Sequence, residues 1–347
     1  MMNQKKYMHK LTAGLIAAAL LAAGLTGCGG ETQNTDTPEN ASASQNGDMT
    51  VNIAYFDSFV WGYYIQIAQE YGIWDKIFGE DDVKVNLTGF ATGPEINEAI
   101  TAGNIDIAIN EGDQPFLSAV ANDVDLTLLA TELRQEKTLI LVADADSDID
   151  SAADLKGKNI AVPIGTYVHK SLIGVLQDNN ISVGDVQLTN MSAAGDAVAA
   201  INTGDVDAYI GTIFSLYSNI QSGDIKQIAD LTGNGAYAYL IGTNDFVNQH
   251  PDVTQKLVEV IYKATEYTAE HLDEVAWIIA EGTGIDEAVI KELYPLLDTN
   301  LGFTDSDLDA LLSTQDFLLE NDIIDEKIND LEENHINTTF IETIKGE

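Results

Sequence analysis

The sequence predicts a two-lobed α/β fold with a mostly helical C-terminal part. Three observations carry this. From residue 50 onward, short apolar strands alternate with segments of helical period, the pattern of a parallel sheet covered by helices on both faces. After Asn244 the apolar residues recur every three to four positions, in 253–269, 275–280, 288–297 and 308–319. Between these regions lies an internal repeat. Residues 99–109 (AITAGNIDIAI) match residues 200–210 (AINTGDVDAYI), each a helix end, a glycine stop and a buried strand. A single pair at such a separation is no solenoid and points to two similar lobes.

The elements follow in order. Residues 50–55 read as a strand, and 61–71 as a helix that Gly72 ends as a C′ residue. Residues 83–87 form the next strand. Thr92-Gly93-Pro94-Glu95 is a capping box with proline in the first helical turn. The helix it opens turns Ile96, Ala99 and Ile100 to one side and stops at Gly103. A buried-type strand follows at 105–109, a helix opened by Asp113 and Pro115, and further strands at 126–130 and 138–142. Arg134, the sole arginine, is expected in a loop before a strand. Asp106 and Asp207, one per repeat, are expected to cap or hydrogen-bond at strand starts, away from any ligand.

Composition narrows the function. The 347 residues are 45% hydrophobic, enough for a sizeable core, with 56 acids against 16 Lys plus Arg and a formal net charge of −40. A nucleic-acid partner is excluded, because displacing phosphate counterions needs a basic footprint. Charge-driven binding to an anionic lipid surface is disfavoured for the same reason. One cysteine permits neither a disulfide framework nor a thiolate metal cluster, and no metal or cofactor is expected.

That cysteine belongs to the N-terminus. Lys5, Lys6 and Lys10 precede an uncharged stretch at 11–25, and Leu25-Thr26-Gly27-Cys28 follows. This is a secretory signal, too short for a comfortable membrane span, whose Leu-x-Gly-Cys looks like a bacterial lipobox. Residues 1–27 are read as a lipoprotein signal peptide and Cys28 as the lipidated residue. Residues 28–49, polar and without aromatics, are read as a flexible tether. The expected location is the outer face of the cell membrane, held by lipid. With no coiled-coil heptad, the body is expected to be a monomer.

Open α/β sheets bind ligands at the carboxyl ends of their strands. The turns expected there are 56–61, 110–116, 163–169 and 211–214, each with a capping or small residue and an aromatic nearby. Helix starts in such turns present unbonded N–H groups, which suit an anion or any acceptor. The candidate ligand-binding residues are Ser58, Phe59, Trp61, Asp113, Gln114, Thr166, Tyr167, His169, Thr212 and Phe214. Plain helix capping is the competing role for Asp113 and Thr166, and a surface or packing role for His169. No catalytic residue is proposed: His-Glu-x-x-His, Gly-x-Ser-x-Gly and a phosphate loop are all missing from the sequence.

Several stretches together resemble the nitrate/sulfonate/taurine solute-binding proteins of bacterial ABC importers. They are Glu98-Ala99-Ile100 through Ala119, Asp154-Leu155-Lys156-Gly157-Lys158-Asn159-Ile160-Ala161-Val162 with Gly165-Thr166, Ala199-Ala200-Ile201 through Ala208, His250-Pro251-Asp252-Val253 and Asp316-Phe317-Leu318. The Asp-Leu-Lys-Gly-Lys segment alone is widespread; the joint order behind a lipobox is specific. The resemblance implies a type II periplasmic-binding-protein-like fold, two α/β lobes joined by two crossing strands with the ligand between them. It places lobe one at 50–141 plus 241–347 and lobe two at 142–240. It implies a small-molecule ligand and an ABC transporter permease as partner. Pyrimidine-synthase enzymes of thiamine synthesis share this fold, but the chain has no second Cys for their Cys-rich metal segment. An enzyme of the same fold is therefore the least expected reading, and no enzymatic activity is expected. An aliphatic sulfonate or taurine-like solute is the first ligand expected. A heteroaromatic vitamin precursor, such as a thiamine pyrimidine, and a lipid-anchored sensor are the alternatives. The family often carries Trp and Pro after the strand ending at Ile210; this chain has Gly211-Thr212-Ile213-Phe214 there.

Overall fold

The computed structural model describes residues 49–346 apart from 58, 80, 82, 136, 165 and 232–234. The signal segment, Cys28 and nearly all of the tether lie outside the described residues, as does Ser58.

Along the chain the first elements are β1 (Met49–Phe56), α1 (Tyr64–Glu70), α2 (Ile73–Phe78), β2 (Val83–Phe90), α3 (Gly93–Thr101), β3 (Ile107–Gly112), α4 (Asp113–Ala121) and β4 (Leu126–Gln135). Then come β5 (Leu139–Asp144), β6 (Asn159–Val162), α5 (Tyr167–Asp178), β7 (Gln187–Asn190), α6 (Ala194–Thr203), β8 (Ala208–Thr212), α7 (Ile213–Ser222) and β9 (Ile225–Asp230). The chain returns through β10 (Ala236–Thr243) to the helices α8 (Asn244–Gln249), α9 (Pro251–Glu270), α10 (Leu272–Thr283), α11 (Glu287–Leu293), α12 (Asp305–Glu320), α13 (Leu331–Asn334) and α14 (Thr339–Lys345).

The strands form two five-stranded sheets, ordered β2-β1-β3-β10-β4 and β7-β6-β8-β5-β9. In each described sheet the first three strands run parallel, the fourth runs antiparallel to them, and the fifth runs antiparallel to the fourth. Lobe one therefore holds 49–135 with 236–346, and lobe two holds 139–230. The expected boundaries cut through two strands. β5 belongs whole to the second sheet from Leu139, and β10 whole to the first from Ala236, because each is hydrogen-bonded along its length to that sheet.

The repeat has a structural counterpart. β3 neighbours β1 as β8 neighbours β6. Asp106 accepts the backbone N–H of Asn52 at 2.8 Å, and Asp207 accepts that of Asn159 at 2.7 Å. Both carboxylates tie the start of one strand to its neighbour, at the sheet edge away from the strands' carboxyl ends. Gly72 and Gly103 follow their helices with φ of 67° and 72°, a left-handed backbone that glycine adopts without cost. The capping box forms at α3, where the Glu95 carboxylate accepts the N–H groups of Ala91 and Thr92 at 3.1 and 3.2 Å.

Each sheet is buried on both faces, with four apolar clusters among the described residues. The C-terminal helices complete lobe one: α9 and α10 cover one face of its sheet, and α12 with α4 the other. Arg134 is not in a loop but in β4, where both neighbouring layers bury its strand. No described helix is long and apolar enough to cross a membrane.

Candidate functional site

A cavity of about 1150 Å³ lies between the lobes at the carboxyl ends of the parallel strands. Five helix starts reach it: Thr92 and Gly93 before and in α3, Gly112 and Gln114 at α4, Thr166 and Tyr167 at α5, Ala194 at α6, and Thr212 at α7. Each follows a parallel strand, so the sheet topology alone brings all five to one place. The first N–H groups of a helix lack intrahelical acceptors and carry the positive end of its dipole.

Aromatic rings make the walls. Phe59 stacks on Trp61 with centroids 4.8 Å apart and planes 11° from parallel, and Trp61 meets Phe214 of lobe two edge-on at 6.2 Å. Tyr167, Tyr209 and Tyr237 also line the cavity. Burial pushes the phenols of Tyr167 and Tyr209 above the ordinary range, so both stay neutral donors at neutral pH. Among the described lining residues there is no Lys, Arg or His, and one acid, Glu98.

The sequence-predicted residues divide. Phe59, Trp61, Gln114, Thr166, Tyr167, Thr212 and Phe214 line the cavity. Thr212 caps α7, its Oγ1 accepting the Ser215 N–H at 3.4 Å. Thr166 is the residue before α5, but its hydroxyl donates to Pro163 O at 2.7 Å and makes no side-chain cap. Asp113 and His169 stand outside the lining. Asp113 is 1% exposed; its carboxylate accepts the Thr314 hydroxyl at 2.6 Å and the Gln114 N–H at 2.9 Å, and lies 3.5 Å from Lys170 Nζ. The His169 ring meets Phe317 edge-on at 6.3 Å, and burial pulls its imidazole below the usual value. Both were drawn off by α12, a helix far away in sequence. Ser58 lies outside the described residues.

These contacts also join the lobes. Lys170 of α5 donates to Thr314 of α12, beside Asp113 of α4. On the opposite flank Tyr217 of α7 donates to Glu292 of α11 at 2.5 Å. The cleft is thus spanned by polar contacts on two sides.

Sequence reasoning placed Asn110 in an expected turn without choosing it as a binding residue, and missed Asn97, Tyr209, Gln135 and Tyr237, and the turn at Ser192 and Ala194. The rule that found the other turns, applied after β2 and β7, finds the starts of α3 and α6. Asn110, within β3, has a left-handed φ of 62°. Its Nδ2 donates to Trp61 O at 2.9 Å, and its backbone N–H donates to the Glu132 carboxyl. Glu132 and Glu111 are fully buried. Neither Glu111 oxygen has a protein hydrogen-bond partner, and burial raises its pKa well above the ordinary value; burial likewise pushes Glu132 up to about 8, against the Asn110 bond. Among the described residues no three His, Cys, Asp or Glu side chains stand together as a metal site.

With this geometry in view, the family model described as NMT1/THI5 like matches residues 65–275. The chain belongs to the NMT1/THI5-like family. A Bacillus subtilis relative named for binding aliphatic sulfonates is 27% identical over 272 residues, 76% of this chain and 79% of that protein. The crystal structure of the periplasmic aliphatic sulphonate binding protein SsuA from Escherichia coli superposes with a TM-score of 0.73 at 21% identity, over 82% of this chain and 91% of that one. A 2'-hydroxybiphenyl-2-sulfinate desulfinase of Rhodococcus erythropolis is 24% identical over 246 residues, 53% of this chain and 66% of the enzyme. This NMT1/THI5-like chain therefore has the two-domain, periplasmic-binding-protein-like α/β architecture that its sequence predicts. Its sole cysteine, Cys28, precedes the first strand, so the described cleft contains no thiol.

Proposed function

We propose that this protein is a non-catalytic, extracytoplasmic solute-binding protein that passes a sulfonate of the taurine type to the permease of an ABC transporter. The observation that carries the reading is the convergence of five helix starts on one aromatic-walled cleft between two lobes. Backbone N–H groups hold a sulfonate oxygen without any cationic side chain. The names of the curated relatives support the same ligand class, and their sequences span most of this chain. A heteroaromatic ligand is the second reading, favoured by the Phe59–Trp61 stack and the three lining tyrosines.

A thermal-shift panel decides between them. The true ligand at a hundred times its Kd adds about 2.7 kcal/mol of stability. Stabilisation by organosulfonates and none by aminopyrimidines is the expected result; the reverse ranking would replace the first reading with the second.

The anchored, monomeric state belongs to the same proposal. Lipid on Cys28 holds the body at the membrane through the 28–49 tether, since acyl chains gain about 0.8 kcal/mol per buried CH₂. Cys28→Ala is expected to release the protein from washed membranes while its melting temperature stays unchanged. Continued attachment of that variant would remove the anchor from the proposal.

A further inference from the structure

Two of the described ion pairs have a carboxylate removed from water, Arg134–Asp307 and Lys170–Asp113, and α12 takes part in both. Asp307 lies in the first turn of α12. It holds Arg134, the last residue but one of β4, from which the chain crosses to lobe two. About two turns further along α12, the Thr314 hydroxyl donates to Asp113 of α4 at 2.6 Å and accepts from Lys170 of α5. Phe317 of the same helix meets the His169 ring of α5 edge-on at 6.3 Å. The helix therefore starts on the strand that leaves lobe one and continues onto the head of the first helix of lobe two. Beside it, the Gln135 side chain at the end of β4 hydrogen-bonds the Tyr167 hydroxyl at the start of α5.

The other flank is built differently. There Tyr217 of α7 donates to the exposed Glu292 of α11 at 2.5 Å, and Trp61 meets Phe214 edge-on. Neither contact holds a buried charge. Water takes the place of a surface hydrogen bond at little cost, and two rings slide past each other without leaving a charge unpaired. On the α5 side, parting the lobes pulls Lys170 away from a carboxylate that is 1% exposed. A buried carboxylate stripped of its cation is strongly unfavourable. The two flanks thus resist opening unequally.

We infer that the lobes swing about the α5–α12 side, with α12 as a brace over the chain crossing, and that the cleft opens at its α7–α11 edge. The device depends on the chain's own contacts and not on the chemistry of the ligand, so it stands or falls independently of the sulfonate reading. It fixes the edge that a solute must pass, and it keeps the head of α5 in a constant position against lobe one.

Pulsed-EPR distances on the full chain, without added ligand, test this. In a Cys28→Ala background one spin-label pair, Ser218→Cys with Ala288→Cys, spans the α7–α11 edge. A second, Gln177→Cys with Ser313→Cys, spans the α5–α12 side. All four positions are exposed. The first distance distribution is expected to be about twofold broader than the second, because only that edge samples open states. Lys170→Met combined with Asp113→Asn removes the brace and leaves no charge buried there. It is expected to broaden the second distribution until the two match. Equal widths in the parent chain, a broader α5–α12 pair, or an α5–α12 pair that stays narrow in the double variant overturns the inference. The parent-chain comparison decides even where the double variant fails to fold.

Discussion

Replacing Arg134 with methionine is expected to cost about 3–5 kcal/mol of unfolding free energy, the usual consequence of stripping one partner from a buried ion pair. Arg134 is the only arginine in the chain. Its Nε and Nη2 donate to the two oxygens of Asp307 at 2.7 and 2.6 Å, and its Nη1 donates to Asn300 O at 2.9 Å. Asp307 is fully buried, and the same carboxylate accepts the Thr304 N–H at 2.8 Å at the start of α12. Without the guanidinium this charge stays in the interior with only its cap bonds. Urea unfolding measures the loss. Adding Asp307→Leu to Arg134→Met is expected to recover part of it, because the double variant buries no charge. A single variant within 1 kcal/mol of wild type would mean that water replaces the guanidinium at little cost.

Glu132→Gln is expected to stabilise the protein at alkaline pH and to leave it nearly unchanged at pH 5. The Glu132 carboxyl rises from 4.5 in the unfolded chain to about 8 in the fold, because it is wholly buried. The folded state therefore binds the proton more tightly. Stability is fully present below pH 4.5, falls as pH rises through the interval, and levels off above about 8. At about 1.4 kcal/mol per pH unit the loss reaches several kcal/mol. Glutamine keeps an acceptor for the Asn110 N–H and cannot ionise. Melting curves from pH 5 to 9 should diverge between wild type and variant; parallel curves would place the titration elsewhere. Glu111 adds to the wild-type slope with the same sign, since burial raises it too.

What was legible in the sequence is what depends on near neighbours. The βα alternation, the capping box at Thr92 and the stops at Gly72 and Gly103 all follow from patterns within a dozen residues, and the matched roles of Asp106 and Asp207 from the repeat of one such pattern. The turns after strands were legible for the same reason, and most of the candidates there line the cleft. What escaped depends on partners far along the chain. Asp113 faces Thr314, 201 positions away, and Arg134 faces Asp307, 173 away. No local pattern distinguishes an aspartate that meets a ligand from one that meets a distant helix. The buried Glu111 and Glu132 escaped likewise: in sequence they are charged residues among apolar neighbours, and only the stacking of β3, β10 and β4 removes them from water.

The way the second lobe is set into the first has a consequence for the order of assembly. Gln135 and Ala236 are direct partners in the β4–β10 ladder, so the chain leaves the first sheet and re-enters it at neighbouring positions, as across the mouth of a hairpin. Lobe two is one uninterrupted run and can close on itself as soon as β9 has left the ribosome or the export channel. Lobe one cannot: β10 joins β3 to β4, and until it arrives β4 is a strand without a sheet. The contacts that finish lobe one span the entire inserted lobe, which by loop-closure cost makes them the slow ones. The nascent chain thus carries a finished half beside an unfinished one, and the open edges of β3 and β4 are where it is most exposed to mispairing before α8 to α14 follow.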